Sequence, residues 1–144
     1  QIKVATDRVL DATAIVIATP VYKAAYSGLL KTFLDLLPQT AFDGKVVLPL
    51  ATAGSPHHAL ALDYALRPVL QSMQPALVLP GVHATDATVT RSDSGEYALT
   101  DEIIERLTRS TERLIDEYNA LLRRRTGQAG TFDSVPFDQV RCSI

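Results

Sequence analysis

Two short stretches carry the residue types from which a ligand site could be built. The first, "TPVYKAAYSG" (19–28), reads as a strand-to-helix loop between the apolar run "AIVIA" and the helical pattern "LLKTFLDLL". The second, "TAGSP" (52–56), follows another apolar run, "KVVLPLA". Neither contains Cys, Asp or Glu, so neither supplies an acid, a base or an activated nucleophile of its own. Ser27 and Ser55 have no His–acid pair in view and fit helix capping better. His57 and His58 are adjacent, diverge by about 100° on a helix, and make poor joint metal ligands; His83 stands alone. No metal site and no catalytic side chain are expected. What the two stretches do offer is main-chain donors beside small or flat side chains. Thr52, Ala53, Gly54 and Ser55 let the backbone approach the edge of a planar ligand. Pro20, Val21 and Tyr22 give a rigid bend and a flat face. Such a surface suits a polar, planar cofactor that carries the chemistry itself. A strand end at Pro20 with a half-buried Tyr22 is the plainer alternative.

The elements that position these stretches follow from hydrophobic period. Ile2, Ala5, Val9 and Ala12 recur at helical spacing, so residues 1–12 read as an amphipathic helix. "AIVIA" (14–18) is β-branched without alternation, as in a strand covered on both faces. Leu29, Leu30, Phe33, Leu34 and Leu37 form one helical stripe that Pro38 ends. Residues 45–51 read as a second buried strand, in which Pro49 implies a gap in the ladder or the strand's end. A helix is expected from about His57 to Met73, a third strand at 76–84, a polar connector at 85–98, and a long helix from Thr100 to Arg125. Thr100 is the expected N-cap, and Arg123–Arg125 complement the macrodipole at the other end. Alternating helices and strands predict an α/β fold with a parallel sheet and right-handed crossovers. Ligands bind such sheets at the carboxyl ends of the strands, so the two stretches belong on one edge and face one ligand.

A chain of 144 residues fits one domain that buries a sizeable core. A net charge of −2 gives no footprint for nucleic acid or an anionic membrane. No apolar run approaches the roughly 18 residues of a membrane span. One cysteine, Cys142, permits no internal disulfide, and a cytoplasmic location is the expectation. Pro68 inside a helical pattern removes an N–H and crowds the Tyr64 carbonyl, so that helix must kink or bulge. Lys31 and Asp35 are spaced i, i+4 for an ordinary salt bridge. Arg67 and Lys23 read as solvated surface charges.

With these residues placed, "IVIATPVYKAAYSGLLKTFLDLLP" and "GKVVLPLATAGSPHHALALDYALRPVL" closely resemble the NAD(P)H-dependent FMN reductases of flavodoxin-like fold. Within them the alkanesulfonate-system FMN reductases are the nearest match, over about Ala14 to Val82. The family pattern reads here without a gap as Pro20, Tyr22, Ser27, Gly28, Leu30, Lys31 and Asp35. The resemblance implies a three-layer α/β/α sandwich and hydride transfer from NADPH or NADH to flavin N5. Reduced FMN then passes to a flavin-dependent monooxygenase. It implies that Pro20, Val21 and Tyr22 contact the flavin and its ribityl chain. Thr52, Ala53, Gly54 and Ser55 would border its pyrimidine edge. It also implies a homodimer or homotetramer, with Lys31 and Asp35 near a subunit contact and Tyr64 in a π-bulge facing a neighbour's flavin region. A simple proline kink at Tyr64 stays open. The family's Ser/Arg-rich phosphate loop has no counterpart here, so the N-terminal βαβ part is expected to be missing. Residues 1–125 would then be the incomplete domain and 126–144 a tail or oligomer-contacting arm. A quinone or azo reductase on the same fold, or a non-enzymatic flavodoxin-like electron carrier, are the rival functions.

Overall fold

A computed structural model describes residues 2–127. The arm expected at 126–144 lies outside the described residues from residue 128 on, as does Cys142. The N-terminal helix forms as α1 (Ile2–Asp11). Lys45 fixes its end by donating from Nζ to the carbonyls of Leu10 (2.8 Å) and Ala12 (2.6 Å). Then come β1 (Ala14–Tyr22), β2 (Ala25–Tyr26), α2 (Gly28–Asp35) and β3 (Val46–Ala53). After a 3₁₀ turn at Pro56–His58 and a π-helical turn at Leu62–Leu66 come α3 (Arg67–Ser72), β4 (Leu77–Val78) and β5 (Val82–Thr85). The hairpin β6 (Val89–Arg91) and β7 (Tyr97–Leu99) and the helix α4 (Asp101–Arg125) follow.

The main sheet runs β2-β1-β3-β4, with β5 also on β3, and is parallel except at β2. Helices cover both faces, giving the expected three layers. Successive β3 residues alternate between them. Val47 and Ala51 pack with Leu34 of α2 and with Leu62, Leu66 and Leu70 beyond the 3₁₀ turn. Val46 and Leu48 pack with Leu114 of α4, and Ile103 of α4 covers Val82 and Ala84 of β5. Opposite β3, β1 is paired only at Val21 and Tyr22 among the described residues, and Val16 there is 53 % exposed.

Several sequence expectations need correction. The stretch 19–22 is not loop: β1 runs through it, because the fixed φ of Pro20 suits an extended chain. The reversal is a two-residue hairpin turn at Lys23 and Ala24, with φ of 51° and 62°. Both centres left-handed is the type I′ pattern that matches strand twist, but neither residue is the Asn or Gly that usually marks it. The 85–98 connector is the β6–β7 hairpin rather than coil. Thr100 stands at the N-cap of α4 without a side-chain cap bond; its N–H instead donates to the Thr88 carbonyl.

The helix expected over 57–73 is interrupted, and so is the strand expected over 76–84, and the two breaks fit each other. Pro49 lies in mid-strand, and the β3 ladder pauses beside it, between Val47↔Val78 and Leu50↔Val82. In that pause Leu79–Gly81 leaves regular pairing. Arg67 satisfies the freed carbonyls of Val78 and Leu79, each at 2.9 Å, while its Nε pairs with Asp63 at 2.9 Å. Arg67 is therefore a structural clamp and not a solvated charge. Gly81 makes room for Leu62: a Cβ there would stand 2.8 Å from Leu62 Cδ1 and 3.2 Å from the Pro49 carbonyl oxygen. Leu62 opens the π turn and Arg67 closes it, its N–H donating to the Leu62 carbonyl. Pro68, with no N–H, cannot continue an α-helical ladder back to Tyr64, so a widened turn replaces a simple kink. Gly81→Ala is expected to cost about 1–3 kcal/mol, because buried Leu62 and a backbone oxygen must both give way. Urea denaturation of the two proteins measures the difference.

Candidate active site

The parallel register between β1 and β3 brings the two motif stretches together. Seven paired positions run from Ala14↔Val46 to Pro20↔Thr52, so the strands end side by side. Beyond Thr52, Ala53 turns its methyl into the core, while Gly54 is exposed and Ser55 half-buried. Ala53 can therefore reach a ligand only through its backbone. Ser55 Oγ accepts from the His57 N–H at 3.3 Å and caps the 3₁₀ turn, as its sequence position implied. The N–H groups of Gly54 and Ser55 have no protein acceptor among the described residues. On the other strand Pro20 and Tyr22 are exposed, Tyr22 by 64 %, and Val21 is half-buried against the core.

The hairpin that carries Tyr22 is held from below. Thr19, 4 % exposed, accepts the Ser27 N–H on its hydroxyl at 3.0 Å. Ser27 Oγ accepts from the Leu30 N–H at 3.2 Å, capping α2. One two-step relay thus joins the end of β1 to the start of α2. The Lys31–Asp35 ion pair forms on the exposed face of α2, and its hydrogen bond raises the Lys31 pKa. The π turn packs against β2, so it supports the same hairpin. Tyr64, within that turn, is 79 % exposed and points away from the core. Tyr64 thus lies on the helix layer behind the hairpin and does not stand among the strand-end residues. On the α4 face, Pro20 and Thr52 border an open apolar cleft of about 300 Å³ floored by Leu50, Val82 and Ala84 and walled by Ile103 and Leu107.

Three residues at this edge escaped sequence reasoning: Thr19, Asp86 and the environment of His83. Asp86 carries no motif, and its approach to Gly54 arises only from the tertiary pairing of β3 with β5. His83 is buried, and its Nε2 has no hydrogen-bond partner among the described residues. Its backbone carbonyl accepts from Arg106 at 3.3 Å. Among the described residues no three His, Cys, Asp or Glu side chains gather as a metal site. No helix is long and apolar enough to cross a membrane.

A family model described as NADPH-dependent FMN reductase matches residues 1–90. The chain belongs to that family. The FMN reductase (NADPH) of Escherichia coli is 56 % identical over 88 residues, covering 61 % of this chain and 46 % of that protein. The FMN reductase (NADPH) of Pseudomonas putida is 40 % identical over 117 residues, covering 81 % of this chain and 58 % of that protein. The apo crystal structure of an NADH:FMN oxidoreductase (EMOB) superposes with a TM-score of 0.69 at 43 % identity, over 78 % of this chain and 57 % of that one. The chain spans about half the length of the curated relatives it matches. The family match includes both strand-end stretches, so the resemblance first carried by Pro20, Tyr22 and the Ser27–Asp35 pattern stands.

Burial, and then the nearby charges of Arg106 and His58, hold the His83 imidazole below its ordinary pKa of 6.5. The folded protein binds that proton less readily than the unfolded chain does, so stability rises with pH across this window. His83 is neutral and tolerated above about pH 6.5, and increasingly costly as pH falls below it. His83→Phe should therefore flatten the acid limb of the stability profile. It should gain about 1 kcal/mol over the parent at mildly acidic pH, because an unpartnered buried nitrogen is removed. Urea midpoints at neutral and mildly acidic pH test this, and equal losses in the two proteins would contradict it.

Proposed function

We propose that this chain forms part of an NAD(P)H-dependent FMN reductase, with the flavin at the carboxyl edge of β1 and β3. The observation that carries the reading is the Pro20↔Thr52 register, which sets the Pro-x-Tyr strand end beside the Thr52–Ser55 turn. The residues suit the group. Two free N–H donors at Gly54 and Ser55 match ring carbonyl oxygens and nitrogens. Thr52 and Pro20 line an apolar cleft, and exposed Tyr22 offers a flat face. In this reading Pro20, Val21 and Tyr22 contact the flavin and ribityl chain, and Thr52, Ala53, Gly54 and Ser55 hold the pyrimidine edge.

FMN held by these residues would supply the chemistry, acceptance of hydride from NADPH or NADH to give reduced flavin. The protein's part is binding and orientation, since face-to-face rings in near-attack geometry need no protein acid or base. That agrees with the two strand ends, Pro20–Tyr22 and Thr52–Ser55, which carry no Asp, Glu, His, Cys or Lys side chain. Reduced FMN would serve a monooxygenase of the alkanesulfonate type, as the sequence resemblance implies. Assembly as a homodimer or homotetramer through the α2 and π-turn layer fits the exposed apolar side chains there, Leu29 (82 %), Leu60 (62 %) and Tyr64 (79 %). Tyr64 would then reach the flavin region of a neighbouring copy.

The test is to add FMN and each nicotinamide to the purified protein and follow the loss of reduced-nicotinamide absorbance. Flavin-dependent oxidation is expected. Its absence with both NADPH and NADH would contradict the reductase reading, and tight FMN binding without oxidation would favour an electron carrier. Preference for a quinone over free FMN as acceptor would favour a quinone reductase. Tyr64→Ala should weaken assembly, shifting the elution volume in size-exclusion chromatography, with little change in the folding of the single chain. Unchanged assembly, flavin retention and nicotinamide oxidation would remove Tyr64 from the account.

A further inference from the structure

The turn that follows β5 presents a carboxylate to the same edge. Asp86 stands at the first corner of a turn closed three times over between Thr85 and Thr88. The Thr88 N–H donates to the Thr85 carbonyl at 2.9 Å. The Thr88 hydroxyl donates to that carbonyl at 3.0 Å and accepts the Thr85 N–H at 2.8 Å. This lock fixes the direction in which residue 86 projects. The β3–β5 pairing, Ala53↔Thr85, then lays the turn against the Thr52–Ser55 stretch. As a result Asp86 Oδ2 lies 3.3 Å from the point where Gly54 would carry a Cβ. Gly54, with no Cβ, leaves that space open between the carboxylate and the Gly54–Ser55 backbone. Asp86 is exposed, forms no salt bridge and accepts no hydrogen bond among the described residues. Among the described residues no cationic side chain pairs with it at this edge.

We infer that Asp86 is a positioning residue that makes this edge discriminate between the two redox states of the flavin, holding the oxidised form and releasing the reduced one. The inference rests on the FMN reading above. The oxidised ring is neutral, so a nearby carboxylate meets no net charge on it. The reduced ring carries negative charge over its N1 and C2-oxygen region at neutral pH. A fixed carboxylate beside the pyrimidine edge repels that charge and leaves the neutral ring unaffected. Reduction would then weaken the enzyme's hold on its product, as a protein that hands reduced flavin to another enzyme requires.

The experiment compares dissociation constants for oxidised FMN, by quenching of flavin fluorescence, and for reduced FMN, under anaerobic conditions, in the parent, Asp86→Asn and Asp86→Glu. Asp86→Asn should tighten reduced FMN by roughly fivefold or more, since two charges a few ångströms apart at a wet edge interact on that scale. Oxidised FMN should change by less than about twofold. The midpoint potential of bound FMN should rise by about 20 mV, the two-electron equivalent of that ratio. Asp86→Glu keeps the charge and should stay close to the parent, and added salt should shrink the gap between parent and Asp86→Asn. An unchanged ratio of the two dissociation constants in Asp86→Asn, with oxidised FMN still bound by the parent, overturns the role of Asp86 alone. Failure of the parent to bind FMN in either state overturns the FMN reading and this inference with it.

Discussion

The ladder between β1 and β3 is the constraint on which the candidate site depends. Two β-branched apolar runs, 32 residues apart at Ala14 and Val46, pair in parallel and stay in register for seven positions. Because side chains alternate along each strand, a slip of one residue would exchange the core and solvent sets throughout. Burial of Ile17, Val47 and Ala51 on one face and of Val46 and Leu48 on the other fixes the register from both sides at once. Pro20 and Thr52 then arrive at the same edge as a geometric consequence. Thr19 carries the constraint onward: its buried hydroxyl takes the Ser27 N–H, so the helix after the hairpin starts where β1 stops.

A second coupling links this edge to the helix layer. The pause in the sheet beside Pro49 exposes the carbonyls of Val78 and Leu79, and the helix layer answers with Arg67. Gly81 takes Leu62 in the same place. The π turn between Leu62 and Arg67 is thus bounded at both ends by contacts to one irregular stretch of sheet, and Pro68 prevents its relaxation to a regular helix. Packed against β2, that turn buttresses the hairpin bearing Tyr22. A surface feature at Tyr64 and the strand end at Pro20 therefore share one support.

The parts of this arrangement that were legible beforehand are those set by local pattern. The helical stripe of α2, the buried runs of β1 and β3, and the capping serines at 27 and 55 each follow from residue type and period. Pro68 announced an irregular helix, and Pro49 a fault in the ladder. What stayed hidden depends on tertiary pairing. Lys23 and Ala24 carry no turn preference, so the type I′ hairpin was invisible and 19–22 read as loop. The β6 and β7 strands are three residues each and largely exposed, without alternation to distinguish them from coil. Arg67 looked solvated because its carbonyl partners lie 11 and 12 residues away, across a break that no local rule foretells. Asp86 gained meaning only when β5 laid its turn beside Gly54.

The account's central claim is that FMN sits where β1 and β3 end together. The most direct measurement is a titration of the isotopically labelled chain with FMN, followed residue by residue through backbone amide shifts. The account predicts that the largest changes fall on Val21, Tyr22 and Thr52 to Ser55, with the amides at the opposite end of the sheet, Asp43 to Lys45, unmoved. Changes concentrated at that opposite end, or none anywhere in the presence of saturating FMN, would contradict it.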